Sequence, residues 1–283
     1  MRKVIITAAF TGSLPPRAEN ENKPMTPDEI AEEVVKCAEA GAAVCHIHAR
    51  DAQGLPTKDI GIWREIDRKC RERMRAAGVD AILSYTTSVG TDEDRFAHCL
   101  ELKPEMAAFE AGSLNWIDDG LFINSPAFLK KMGKALTDAG IKPELGIFDA
   151  EMIKWCIRWE REGYLKAPLH FQLMMGTYGG ADATVENLLF MKKLLPAGST
   201  CSVTGIGRNS LPMIMTALAM GADGIRVGLE DNLFMDKGVQ ADNVMQVRRA
   251  AELIRLMNDE VATAAEAREI LGLPARRGEE AGR

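Results

Sequence analysis

The chain has 283 residues, 46% hydrophobic and 27% charged, with a formal net charge of −6. That composition suits one sizeable core and excludes a disordered chain, and the acidic balance argues against a surface built for nucleic-acid phosphates. No apolar run approaches the roughly 18 residues of a membrane span, and six scattered cysteines form no CxxC pair, so we expect a cytoplasmic protein with reduced thiols and no membrane partner.

Eight short β-rich runs, at 4–10, 43–48, 81–86, 106–109, 143–148, 169–175, 200–204 and 224–228, alternate with helix-like segments. After the first run, Thr26-Pro27-Asp28-Glu29 opens a helix, with Thr26 as cap and Pro27 in the first turn. Gly41 closes that helix. Strand and helix in alternation predict a parallel sheet, and a count of eight predicts that it closes into a (β/α)8 TIM barrel, which takes about 250 residues. An open doubly wound sheet is the alternative. We expect one catalytic domain over 1–274 and a polar, flexible tail over 275–283.

The second run ends in His46-Ile47-His48-Ala49-Arg50-Asp51. Alternation puts His46 and His48 on one face, roughly 7 Å apart along a strand, and at the C-terminal end of a barrel strand that face looks into the mouth. Two imidazoles so placed can share a metal ion, or can be interior histidines bonded to neighbours. Cys45 faces the other way, into packing. Arg50 and Asp51 either orient the histidines or pair with each other.

The third run ends in Thr86, Thr87 and Ser88, and the fourth in Glu110 with Ser113 close behind. Threonines are strand formers in their own right, but hydroxyls at a barrel mouth can also orient a substrate carboxylate. After the seventh run, Gly205-Ile206-Gly207-Arg208 leads into a helix, a backbone that either makes a tight turn or offers N–H groups to a phosphate. The eighth run carries Arg226, with Glu230 and Asp231 following. If the chain stays extended, Arg226 and Glu230 share a face, and an inward arginine requires an anionic partner. One carboxylate beside two histidines would complete three ligands with a fourth position open, the pattern of catalytic zinc.

Taken together, TAAFTG at 7–12, the segment 24–51 ending CHIHARD, PEMAAFEAGSLNW at 104–116, VTGIGR at 203–208 and GADGIRVGLEDN at 221–232 resemble the β-keto acid cleavage enzyme family. The resemblance implies a (β/α)8 barrel, usually a homotetramer, that binds zinc and converts a β-keto acid plus acetyl-CoA into acetoacetate and a new acyl-CoA. It implies His46, His48 and Glu230 as metal ligands, Arg226 and Asp231 as the catalytic pair, and Thr86 as a hydroxyl holding the substrate carboxylate. Two positions depart from the family. Near the first strand's end, where the amine-recognising type member has a glutamate, this chain reads Thr11-Gly12-Ser13-Leu14, without a carboxylate, so amine specificity of that kind is not expected. Glu110 stands at another substrate-facing position in place of a small residue, which favours a cationic or hydrogen-bonding tail. Two rivals are a metal-dependent hydrolase of the amidohydrolase kind, for which His170 is the one further histidine in a strand, and a silent binding barrel.

Overall fold

The computed structural model describes residues 1–13, 19–90, 94–116 and 120–274. All eight runs are strands: β1 (Lys3–Ala9), β2 (Val44–Ile47), β3 (Ile82–Tyr85), β4 (Met106–Glu110), β5 (Lys142–Ile147), β6 (His170–Met175), β7 (Thr200–Gly205) and β8 (Gly224–Val227). Each pairs in parallel with the next, and β8 pairs back onto β1, with Thr7 opposite Arg226. The sheet is therefore a closed TIM barrel. The proposed tail at 275–283 lies outside the described residues.

Helices α1 (Pro27–Ala40), α2 (Ile60–Ala77), α3 (Ala97–Leu102), α4 (Pro126–Asp138), α5 (Ala150–Arg161), α6 (Val185–Leu194), α7 (Ser210–Ala219) and α8 (Asn243–Leu256) surround it. The α1 signals act as expected: Thr26 Oγ1 accepts from Glu29 N while the Glu29 carboxylate accepts from Thr26 N, and Gly41 ends the helix at φ 115°. Two hairpins that periodicity did not announce rise from the mouth, Leu114–Trp116 with Gly120–Phe122 and Phe234–Asp236 with Val239–Gln240.

Alternation along the strands divides the interior. Ile6, Cys45, Ile47, Leu83, Phe109, Phe171, Val203 and Ile225 pack outward in the large core shared with the helices, so Cys45 does face away from the lumen. All six cysteines are buried free thiols. Inside the barrel, Ile5, Val44, Ile82 and Met106 form an apolar plug with Ala262, Ala267 and Leu271. The last two belong to α9 (Ala264–Leu271), which closes the N-terminal end and is anchored by buried Arg268 on Asp80 and Glu105. Above the plug the lumen turns polar, with Thr7, His46, Ser84, Glu144, Gln172, Ser202 and Arg226 all buried. Polar side chains stacked over an apolar seal place the reactive end at the C-terminal mouth. No helix among the described residues is long and apolar enough to cross a membrane.

Candidate metal centre and its acid pair

His46 and His48 lean inward from the end of β2 until their Nε2 atoms stand 3.1 Å apart. Glu230 Oε2 lies 3.5 Å from the first and 3.3 Å from the second. These three atoms are the one group of potential metal ligands found among the described residues, all within 4.8 Å of one another.

The donor set fits a divalent ion on two observations. Ligand atoms about 2.0–2.1 Å from a tetrahedral ion stand roughly 3.3 Å apart, close to the three distances above. Glu230 Oε2 is also buried without a hydrogen-bond partner, which a carboxylate oxygen tolerates poorly unless something else binds it. The outer ring nitrogens face serines: His46 Nδ1 is 3.5 Å from Ser84 Oγ and His48 Nδ1 3.3 Å from Ser13 Oγ. That arrangement leaves the Nε2 lone pairs turned toward the shared point. Burial brings the His46 pKa down to about 3, with Arg226 and His48 lowering it and Glu230 opposing, so the ring is neutral, as a ligand must be.

The acids arrive by a turn rather than by extension. The strand ends at Val227, Gly228 adopts φ 140°, and the N–H groups of Asp231 and Asn232 both donate to the Gly228 carbonyl. A Cβ at Gly228 would stand 2.1 Å from Ala9 O, so only glycine fits. This corrects the parity argument: Glu230 does reach the mouth, but the reversal swings Asp231 inward as well. Asp231 and Glu230 then share one guanidinium. Arg226 Nε and Nη2 donate to Asp231 at 2.8 and 2.9 Å, and Nη2 donates to Glu230 Oε1 at 2.7 Å. Thr204 Oγ1 donates to Asp231 at 3.2 Å.

Burial and charge act differently on the two carboxyls. For Glu230 the desolvation that would raise its pKa is outweighed by Arg226, His48 and His46, which hold it well below the usual range. For Asp231 desolvation prevails over the guanidinium, and its pKa is raised. A buried carboxylate with a raised pKa is a better base than an exposed one.

Behind this pair lie residues that the sequence reading missed. Ser84 Oγ donates to Glu144 Oε2 at 2.9 Å, and that oxygen is 3.9 Å from His46 Nδ1. Burial, aided by Glu230 and Glu110, raises the Glu144 pKa against Arg226 and Ser84. The available signal was a glutamate at an inward position of an apolar strand. Lys23 is fully buried; desolvation and Arg50 bring its pKa down to about 8, opposed by Glu230, Glu19 and Asp231. Its polar loop offered no signal.

Other expected residues are distributed as follows. Thr86 Oγ1 lies 2.7 Å from Ser88 Oγ, two hydroxyls at the end of β3, while Thr87 Oγ1 donates to the Ala108 carbonyl. His98 lies 2.9 Å from the Thr86 carbonyl and stacks on Trp63. Ser113 accepts from Asn124 N at 2.7 Å. Glu110 stands at the end of β4 with Oε2 buried and unpartnered. Arg50 donates to the carbonyls of Gly12 and Gly54, and Asp51 accepts from Gln53 N and Leu55 N, so both shape loops next to the histidines. Gly205 packs so tightly that a Cβ would stand 2.3 Å from Asn209 O, Gly207 N donates to the Asp231 carbonyl at 2.7 Å, and Arg208 is exposed. His170 lies 2.8 Å from Thr200 Oγ1 and outside the ligand group.

Comparison with known proteins agrees with this geometry. The beta-keto acid cleavage enzyme model matches residues 3–273. The chain is similar to the 3-keto-5-aminohexanoate cleavage enzyme of Fusobacterium nucleatum, 38% identical over 96% of this chain and 99% of the relative. It is also similar to the 3-oxoadipate:acetyl-CoA acetyltransferase of Cupriavidus necator, 33% identical over 95% of each. A solved ternary complex of ObcA with C4-CoA adduct and oxalate superposes with a TM-score of 0.78 at 23% identity, over 89% of this chain and 68% of that one, a likeness of fold. A closed barrel, a His-His-Glu ligand set and a family model spanning nearly the whole length converge on one assignment: the chain belongs to the beta-keto acid cleavage enzyme family.

Proposed function

We propose that the chain is a zinc-dependent enzyme that converts a β-keto acid and acetyl-CoA into acetoacetate and a new acyl-CoA. The observation that carries the reading is the convergence of His46, His48 and Glu230 beside a desolvated Arg226–Asp231 pair. The names of the relatives, which include an acetyl-CoA acetyltransferase, support acetyl-CoA as cosubstrate.

When bound at these ligands, a divalent ion supplies Lewis-acid polarisation of the keto oxygen. Asp231 accepts a proton from C2 of the β-keto acid, and the resulting carbanion attacks the carbonyl carbon of acetyl-CoA, forming a carbon–carbon bond and displacing the CoA thiolate. Arg226 fixes the Asp231 carboxylate before the transfer and offers its N–H groups to negative oxygen as charge develops. The CoA thiolate then adds to the keto carbon, the bond between that carbon and C2 breaks to leave the new acyl-CoA, and the released carbanion takes the proton back from Asp231 to give acetoacetate. Thr86, with Thr87 and Ser88 on the same loop, holds the substrate carboxylate, and Ser113 lines the same rim. Arg208 meets a CoA phosphate, with Gly205 and Gly207 setting the loop that presents it. The enzyme works as a cytoplasmic homotetramer.

The test is to incubate purified protein with acetyl-CoA and a panel of β-keto acids and to measure acetoacetate. Acetyl-CoA-dependent acetoacetate from at least one acid is expected. Cleavage of the acids without acetyl-CoA would favour the hydrolase alternative.

A further inference from the structure

The helices that ring the barrel differ in what they show to water. The exposed positions of α1 are Asp28, Glu32, Lys36 and Glu39, and those of α5 are Glu151, Lys154, Arg158 and Arg161. Every one is charged, as befits a solvated face. On α7 the exposed positions are Pro212, Met215 and Ala219, and no charged residue occurs from Ser210 to Ala219. Its neighbour α6 buries Leu188 and Met191 against the core and shows Val185, Glu186, Leu189, Phe190 and Lys193 on the other side. Phe190 is 56% exposed and Met215 50%. An apolar surface bordered by charge is a mark of association, and aromatic residues and methionine are types that interfaces favour.

The order of residues on α6 says what covers it. Glu186, Leu189, Phe190 and Lys193 fall at spacings of three and four, so they form one stripe along the helix. The acid stands as far before the Leu189-Phe190 step as the lysine stands after it. A second α6 laid antiparallel, with a two-fold axis between positions 189 and 190, therefore sets Glu186 against Lys193 of the partner subunit and Leu189 against Phe190 of the partner subunit. Both charge pairs form at once, because a two-fold contact repeats every pairing. A parallel copy in the same register would instead set acid against acid and lysine against lysine. The antiparallel arrangement also brings the positive N-terminal end of each helix beside the negative C-terminal end of the other.

We infer that α6 and α7 form a two-fold contact between copies of this chain, in which the α6 helices run antiparallel across Leu189 and Phe190 with Glu186 set against Lys193 of the partner subunit. On α7, Pro212 and Met215 extend the apolar area. The homotetramer proposed above counts copies without assigning a face to their contact, and this face requires nothing of the reaction.

The test is sedimentation velocity on the full chain across a dilution series. The variants are Phe190→Glu, Glu186→Lys, Lys193→Glu and the double variant Glu186→Lys with Lys193→Glu, each checked for a native circular dichroism spectrum. Phe190→Glu places carboxylates inside the apolar contact, so the mass of the assembly should halve. Each single reversal sets like charges together on both sides of the axis and should weaken association by about tenfold or more. The double variant restores opposite charges in exchanged places and should associate within about threefold of wild type. These positions are exposed, where substitution rarely unfolds a protein, and Met215→Lys gives a second reading of the apolar contact from α7. A wild type that sediments as a dimer and falls to a monomer in Phe190→Glu would correct the count of four and keep the face. A monomeric wild type, an unchanged mass in folded Phe190→Glu and Met215→Lys, or a double variant as weak as the single reversals would overturn the inference.

Discussion

Two buried arginines, one at each end of the barrel, each hold two carboxylates, and they differ in how much water their partners keep. Arg268 at the closed end is 3% exposed, but its partners Asp80 and Glu105 are 39% and 29% exposed. Arg226 at the open end is 5% exposed, with Asp231 at 3% and Glu230 at 17%. The same charge pattern therefore serves two purposes. Where the acids stay hydrated, the arginine is a clamp that fastens α9 across the barrel. Where they are stripped of water, burial pushes Asp231 up while Arg226 and the histidines hold Glu230 down, and two adjacent acids are set apart as the proposed base and the proposed ligand.

The comparison can be broken most forcefully at the ligands. Replacing His48 by Ala should lower turnover by about 10³-fold or more with the circular dichroism spectrum of the fold retained; near-normal turnover in a folded His48→Ala protein would remove the centre from the mechanism. Asp231→Asn keeps the shape and much of the hydrogen bonding but cannot accept the proton, so kcat should fall by about 10²–10⁴-fold. Metal content should not change in that variant. Full turnover with metal bound would deny Asp231 its role as base.

At the other end the same operation should act on stability alone. Arg268→Met should destabilise the fold by about 2–3 kcal/mol, below the 3–5 kcal/mol of a fully buried ion pair because Asp80 and Glu105 reach water. A denaturation midpoint several degrees lower, with kcat/KM per folded molecule unchanged, is the expected outcome. A catalytic defect would mean the two ends are coupled.

The smallest effect concerns pH. Burial, with Lys142 adding to it, brings His170 down to about 3 from its ordinary 6.5. On acidification the unfolded chain takes up this proton first, so the contribution of neutral His170 is intact above pH 6.5 and is lost as pH falls toward 3. The slope from this one residue is at most about 1.4 kcal/mol per pH unit. Thermal unfolding of wild type and His170→Asn at pH 7 and pH 5 should diverge by that measure, and parallel curves would show that the ring is not held neutral.

Much of this arrangement was legible in the chain. All eight strands fall where β-rich runs predict them, because barrel strands are short, apolar on their outer face and bounded by helix signals. The His46 and His48 pair was readable because a period of two fixes which side chains share a face. Asp231 was named through the resemblance, but its inward turn was not readable from spacing, because parity assumes an extended chain and the reversal at Gly228 depends on how closely the backbone passes Ala9. Ser84 and Glu144 escaped notice because their significance lies in neighbours from other strands. The seal made by α9 was hidden for the same reason: its inward face is built of Ala267 and Leu271, ordinary helix residues until Ile5, Val44 and Ile82 are set beneath them.

The most direct test of the central claim is to measure metal content and acetyl-CoA-dependent acetoacetate formation on the same preparation, before and after chelation and after return of zinc. The account predicts about one divalent ion per chain, loss of acetoacetate when it is removed, and recovery when it is restored. Unchanged turnover by metal-free protein would contradict it.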